Sequence, residues 1–147
     1  MFKKVVIAAD GSSTSLKAAE KAIGIARQFS AKLKVVVVID QRVFFIPHDY
    51  LPESSGYFKV LEELRAGAER ILENIQKVAE KEGLSDIEVE IREGSVVDEI
   101  VAAAKKFRAD LLIIGAVGKT GAERGVLGST AQALTTQSPC SLLIVKK

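Results

Sequence analysis

The residues of this chain with the most capacity for chemistry lie between Gly115 and Thr130, in the run GAVGKTGAERGVLGST. Glycines stand at Gly115, Gly118 and Gly128, and Ser129 and Thr130 follow the last at once. Glycine tolerates positive φ and lets a backbone come close to a ligand. This loop runs from an apolar strand, Leu111 to Ile114, into a helix start that carries hydroxyls. Such a loop can turn several backbone N–H groups toward one point, which is how proteins hold phosphate. The spacing alone leaves a second reading open, a plain flexible turn. Gly118-Lys119-Thr120 looks like the tail of a Walker A loop, but that motif needs a glycine where Ile113 stands. The ordinary P-loop is excluded.

A second polar cluster, Asp10 to Ser15, ends the first apolar run of the chain. Asp10 could serve a ligand or simply cap the helix that follows, since Asp is a favoured N-cap. Other chemical groups carry less. His48 sits beside Asp49, but with one histidine and one cysteine in the chain a transition-metal site has little to build on. No Ser-His-Asp arrangement is visible. Cys140 reads as a small apolar packer near the last strand. Lys119 is a phosphate contact or a solvated loop lysine.

The elements that must position these residues follow from periodicity. Val5 to Ala9 is apolar without alternation, as in a parallel strand covered on both faces. Leu16, Ala19, Ile23 and Ala26 mark an amphipathic helix to about Ser30. Leu33 to Ile39 is a second buried strand, ending near Asp40. Gln41 to Gly56 has no period and reads as a long loop, a class often functional. From Tyr57 to Glu82 the stripe Leu61, Leu64, Ala68, Ile71, Ile75 and Val78 predicts the longest helix, closed by Gly83. Ile87 to Arg92 alternates strictly, as an edge strand with one wet face does. Val97, Ile100, Val101, Ala104 and Phe107 give another helix, Ala109 to Gly115 a strand, Ser129 to about Gln137 a short helix stopped before Pro139, and Ser141 to Lys147 the last strand.

This alternation predicts an α/β fold: one doubly wound domain over residues 1–147, a five-stranded parallel sheet of order 3-2-1-4-5 with helices on both faces. In that order the switch point lies between the first and fourth strands, and ligands bind there at the strands' carboxyl ends. Those ends carry Asp10 and Gly115, so the two most polar and glycine-rich junctions meet in one crevice. The last strand would lie at an edge, yet Leu142, Leu143, Ile144 and Val145 are apolar on both faces. Soluble proteins usually cover such an edge. The expected cover is the same strand of a second copy, in a two-fold dimer; the alternative is cover by the chain's own helices.

Bulk properties narrow the partners. Lys+Arg 21 minus Asp+Glu 19 gives +2, which does not point to nucleic acid or an anionic membrane. No apolar run approaches a membrane span. The charged start before a short apolar run ending at Asp10 reads as a first strand, not a leader. A single cysteine allows no intrachain disulfide, which fits a cytoplasmic setting.

These residues together resemble the universal stress protein family, of the ATP-binding type, nearly end to end. The resemblance rests on the first strand ending at Asp10, the strand ending Val38-Ile39-Asp40, the block EGSVVDEIVAAAKKFRADLLIIGAVGKTG, the spacing of Gly115, Gly118, Gly128 and Ser129, and the close SPCSLLIVKK. It implies a five-stranded α/β fold and a homodimer through the final strand. It further implies that Asp10 sits by the ribose or a phosphate-bound Mg2+, that the backbone around Ala8 flanks the base, and that Val38 pairs with adenine through its main chain. Gly115 and Gly118 would let the loop pass close to ribose and phosphates. Gly128, Ser129 and Thr130 would hold the β- and γ-phosphates. The chain departs from the family at Ala116-Val117, at Ser141 and at Val97, none of which breaks the glycine spacing.

The function expected from this resemblance is an ATP-binding regulatory or stress-response protein acting through an unidentified protein partner. Two alternatives stand beside it. One is a slow ATPase or phosphotransfer switch using Lys119, Glu123 or Arg124. The other is a nucleotide-free structural dimer.

Overall fold

The computed structural model describes residues 1–40, 42, 56–118 and 126–147. Lys119, Glu123, Arg124, His48, Asp49 and all of the expected 41–56 loop but Arg42 and Gly56 lie outside the described residues.

In chain order the elements are β1 (Lys4–Ala8), α1 (Ser13–Phe29), β2 (Lys32–Asp40), α2 (Tyr57–Lys81), β3 (Ile87–Gly94), α3 (Val96–Phe107), β4 (Leu111–Gly115), α4 (Ser129–Gln137) and β5 (Ser141–Val145). The strands form one sheet of order β3-β2-β1-β4-β5, and every pairing is parallel. This is the expected doubly wound α/β fold. Successive strand residues point to opposite faces. Val5, Ile7, Val35, Val37 and Ile113 enter the core under α1 and α2, while Val6, Val36, Leu112 and Ile114 enter the core under α3 and α4. Two covered faces explain why these strands read as unbroken apolar runs. Among the described residues no helix is long and apolar enough to cross a membrane.

Two helix stripes differ from expectation. In α1 the buried residues are Thr14, Ser15, Ala18, Ala19, Ala22, Ile23 and Ala26, and Leu16 is 45% exposed. Small residues let α1 lie close to the sheet, so a reading that follows the larger apolar residues starts the stripe two positions late. In α2 the buried row is Ala68, Leu72, Ile75 and Ala79, and Val78 is exposed instead. Gly83, at φ 81°, ends α2 in a Schellman turn: Gly83 N–H donates to the Glu80 carbonyl and Leu84 N–H to the Ala79 carbonyl.

The edge strand β3 also differs. Its polar face is not fully wet, because α3 covers part of it. Glu90 and Arg92 are half-buried there, and the apolar Val89 on the other side is exposed. Lys34 of β2 is itself buried, which its place in an apolar run does not announce. Its ammonium lies 2.5 Å from the Glu90 carboxylate, 3.8 Å from Glu88 and 5.6 Å above the centre of the Phe107 ring. Arg92 joins Glu90 at 2.5 Å to Glu99 of α3 at 2.7 Å. Burial pushes the Glu90 carboxyl up, but hydrogen bonds from Lys34 and Arg92 together outweigh it and hold the group below its ordinary value.

A carboxyl whose folded pKa is depressed contributes stability above its unfolded pKa and loses it as pH falls through the folded value. Tm should therefore decline as pH is lowered from about 6 to about 3, and less steeply in Glu90→Gln. At neutral pH, Glu90→Gln should destabilise by roughly 1–3 kcal/mol, because Lys34 then keeps only the distant Glu88. Lys34→Met should cost less, since Glu90 retains Arg92. Calorimetric melts of the three proteins decide it; the reverse order of the two variants would refute this account of the buried lysine.

Candidate functional site

The site is built where β1 stops. Its last bond to β2 is Ala9 N–H to the Val36 carbonyl, after which the chain turns away at Gly11, φ 84°. Strand β2 continues to Asp40 without that neighbour. Backbone groups repeat sides every two residues along a strand. Val36 points its carbonyl at β1, so Val38 points its N–H and C=O the same way, past the end of β1. Strand β3 pairs along the other side of β2 as far as Asp40. Among the described residues an open donor and acceptor pair thus edges the crevice at Val38.

The turn after β1 is held by its own side chains. Asp10 Oδ1 accepts from Ser12 N–H at 2.8 Å, and Ser12 Oγ accepts from Ser15 N–H at 3.2 Å. Ser15 Oγ in turn accepts from Asp10 N–H and Gly11 N–H. Ser12 is the N-cap of α1. Asp10 is therefore not the cap, and its second carboxylate oxygen faces the glycine loop. A Cβ placed on Gly118 would stand 3.0 Å from Asp10 Oδ2.

The loop is anchored by different contacts at its two ends. Thr14 Oγ1 donates to the Val117 carbonyl at 2.5 Å. A Cβ on Gly115 would come within 2.7 Å of Thr14 Oγ1 and 2.9 Å of Ser15 N. Gly115 thus serves the packing of α1 against β4. Gly128 N–H donates to the Ala116 carbonyl at 2.8 Å, which ties the far end of the loop to its start. Gly128 is also the N-cap of α4, and no side chain caps that helix. The first-turn N–H groups at Ser129 and Thr130 carry the partial positive charge of a helix start and suit an anion.

These parts line one crevice of about 630 Å³ across the carboxyl ends of the strands. Ala8 and Asp10 come from the β1 end and Val38 from β2; Gly115 and Gly118 come from the β4 end, with Gly128, Ser129 and Thr130 from the start of α4. Every expected site residue that is described is there; Lys119 lies outside the described residues. Sequence reasoning missed the helical walls. Val96 and Ile100 of α3 line the crevice, as do Glu63, Gly67 and Arg70 of α2. The three-and-four spacing of the α2 residues and a glycine inside a helix were the available signals. It also missed the mouth, where Arg42 Nε donates to Asp40 Oδ2 at 2.9 Å. Hydrogen bonds from Arg42 lower the Asp40 pKa against a burial that raises it. Cys140 packs at the α3–α4 core as expected, and burial raises its thiol pKa.

The model of the Universal stress protein family matches residues 1–146. The chain belongs to the universal stress protein family. A family relative from Methanocaldococcus jannaschii, named as a universal stress protein, is 39% identical over all of this chain and 84% of its own length. A universal stress protein from Lactobacillus plantarum has the same fold, with TM-score 0.79, 24% identity and 97% of each chain covered. A universal stress protein solved in complex with cAMP aligns with TM-score 0.62 and 29% identity, over 99% of this chain and 97% of its own.

The contacts of Gly115 yield a stability prediction. Gly115→Ala should destabilise the fold by about 1–3 kcal/mol through overpacking against α1. Adding Thr14→Ala should recover only part at most, because Ser15 N is backbone and remains and the bond from Thr14 Oγ1 to the Val117 carbonyl is lost. Denaturant melts of the single and double variants test this. An unchanged midpoint for Gly115→Ala would show that the glycine is not required by packing.

Proposed function

We propose that this family member is a nucleotide-binding regulatory protein that holds ATP with Mg2+ and works as a homodimer through β5, acting by way of partner proteins. The observation that carries the reading is the meeting, in one crevice, of an open backbone edge at Val38 and an uncapped helix start at Ser129, with Asp10 between them. An adenine edge needs a paired donor and acceptor, which Val38 supplies. Phosphates need N–H groups and hydroxyls, which Gly128, Ser129 and Thr130 supply. Ala8 would flank the base, and Lys119 would add charge on the phosphate side. The related structure in complex with cAMP supports a nucleotide as the ligand class.

The fit of Mg2+ rests on the donor set. Among the described residues no group of three or more His, Cys, Asp or Glu could cage a metal ion. Mg2+ is commonly held by one or two carboxylates with substrate phosphates and waters, so Asp10 beside bound phosphates suits it.

Titration of nucleotide-stripped protein with ATP and Mg2+ should show saturable binding near one per chain. Gly118→Val should abolish it with Tm nearly unchanged, because the inserted side chain meets the movable Asp10 carboxylate and not a helix backbone. Absence of binding by folded wild-type protein would sink the reading. Conversion of bound ATP to ADP would replace a regulatory holder with a slow ATPase.

The dimer has its own test. The Val145 carbonyl accepts from Ala116 N–H, so Leu142 and Ile144 turn their backbone groups outward from the sheet. Ile144→Pro should remove an outward N–H, leave the β4 ladder bonded and yield a folded monomer by light scattering. A wild-type monomer, or a variant dimer of unchanged strength, would refute pairing through β5.

A further inference from the structure

The α2 wall of the crevice carries a residue that the helix itself disfavours. Gly67 lies inside a 25-residue helix, where glycine is the poorest former after proline. Among the described residues a Cβ built there meets nothing nearer than Arg70 Nη2 at 3.7 Å, so no described neighbour demands the glycine. The space it leaves opens into the crevice. Glu63, Gly67 and Arg70 recur at steps of four and three and share one helix face. Arg42, at the same end, is committed to Asp40. Among the described residues Arg70 has no ion pair or hydrogen bond, and its guanidinium lies against the slot. Helix α2 packs on α1, β2 and β3, whereas α4 packs on α3 and β5. The slot is therefore at the Val38 end, away from the anion-binding helix start.

We infer that Gly67 and Arg70 form a base subsite, which admits a purine ring against α2 with the Arg70 guanidinium laid over its face. This rests on the nucleotide reading above and specifies which half of the ligand α2 recognises. A guanidinium plane stacks on an aromatic face, which a compact ammonium cannot do. A bicyclic base fills the slot more fully than a pyrimidine.

The test titrates ATP, CTP and inorganic tripolyphosphate, each with Mg2+, into wild type, Gly67→Ala, Gly67→Val, Arg70→Ala and Arg70→Lys. Gly24→Ala is the control, since Gly24 is likewise inside a helix with nothing within 4 Å but lies outside the crevice. Gly67→Ala and Gly24→Ala should each raise Tm by roughly 2–4 °C. Gly67→Ala should nevertheless weaken ATP binding, and Gly67→Val should weaken it by about tenfold or more. Gly24→Ala should leave ATP affinity alone. Tripolyphosphate affinity should be unchanged throughout. Arg70→Lys should lose ATP affinity as Arg70→Ala does, and wild type should favour ATP over CTP. Undiminished ATP binding by Gly67→Val overturns the inference, as does equal loss of ATP and tripolyphosphate, full rescue by Arg70→Lys, or equal affinity for ATP and CTP. Each of these leaves the nucleotide reading standing. Wild-type protein that binds no nucleotide removes both.

Discussion

A short hydroxyl-to-carbonyl bond, Thr14 Oγ1 to Val117 O, with a longer one from Ser12 Oγ beside it, joins two parts of the chain 103 residues apart. It fixes how the start of α1 meets the end of β4, and the crevice depends on that meeting. Thr14 is buried at the junction, where a hydroxyl without a partner would be costly. The bond forms only because Gly115 has no Cβ to hold α1 away. With α1 seated, the Asp10 turn faces the glycine loop. With Gly128 tied back to Ala116, the start of α4 is carried alongside. The polar floor of the site is thus a consequence of close packing between apolar elements.

The second determinant is the unequal length of parallel neighbours. Strand β1 has five residues and β2 has nine. The ladder between them runs out at Val36, and the two-residue repeat of the strand then presents Val38 to open space. A longer β1 would consume that edge. The excess length of β2 is supported from its other side by β3, and the ionic chain Lys34–Glu90–Arg92–Glu99 extends this support to α3. Val96 and Ile100 line the crevice on either side of Glu99 in sequence, so the same chain of charges steadies a wall of the site.

The strand order and the two covered faces were legible in the sequence because buried parallel strands leave continuous apolar runs, and alternation with helices restricts the topology. The glycine spacing was legible because it is local. The buried Lys34 was not, since its partners Glu88 and Glu90 are more than fifty residues away and each reads as ordinary surface charge. Leu16 and Val78 were misplaced because the true stripes use alanines at Ala18, Ala22 and Ala79, which periodicity weighs little. The α2 wall was hidden by the same effect: its contribution at Gly67 is an absence of side chain, and absence has no hydrophobic signature.

The three loop glycines show why a motif identifies a site without assigning work inside it. They share a residue type, and sequence treats them alike. The structure separates them by what a methyl group would strike. At Gly115 it strikes the backbone of α1, which cannot yield without moving the helix. At Gly118 it strikes only the end of the Asp10 carboxylate. At Gly128 it meets the Ala116 carbonyl and Val117 Cα at 3.4 Å, a tight but tolerable approach that keeps the loop closed. The first glycine belongs to the fold and the second to the crevice. The third joins them, because the hydrogen bond that closes the loop also sets where α4 begins.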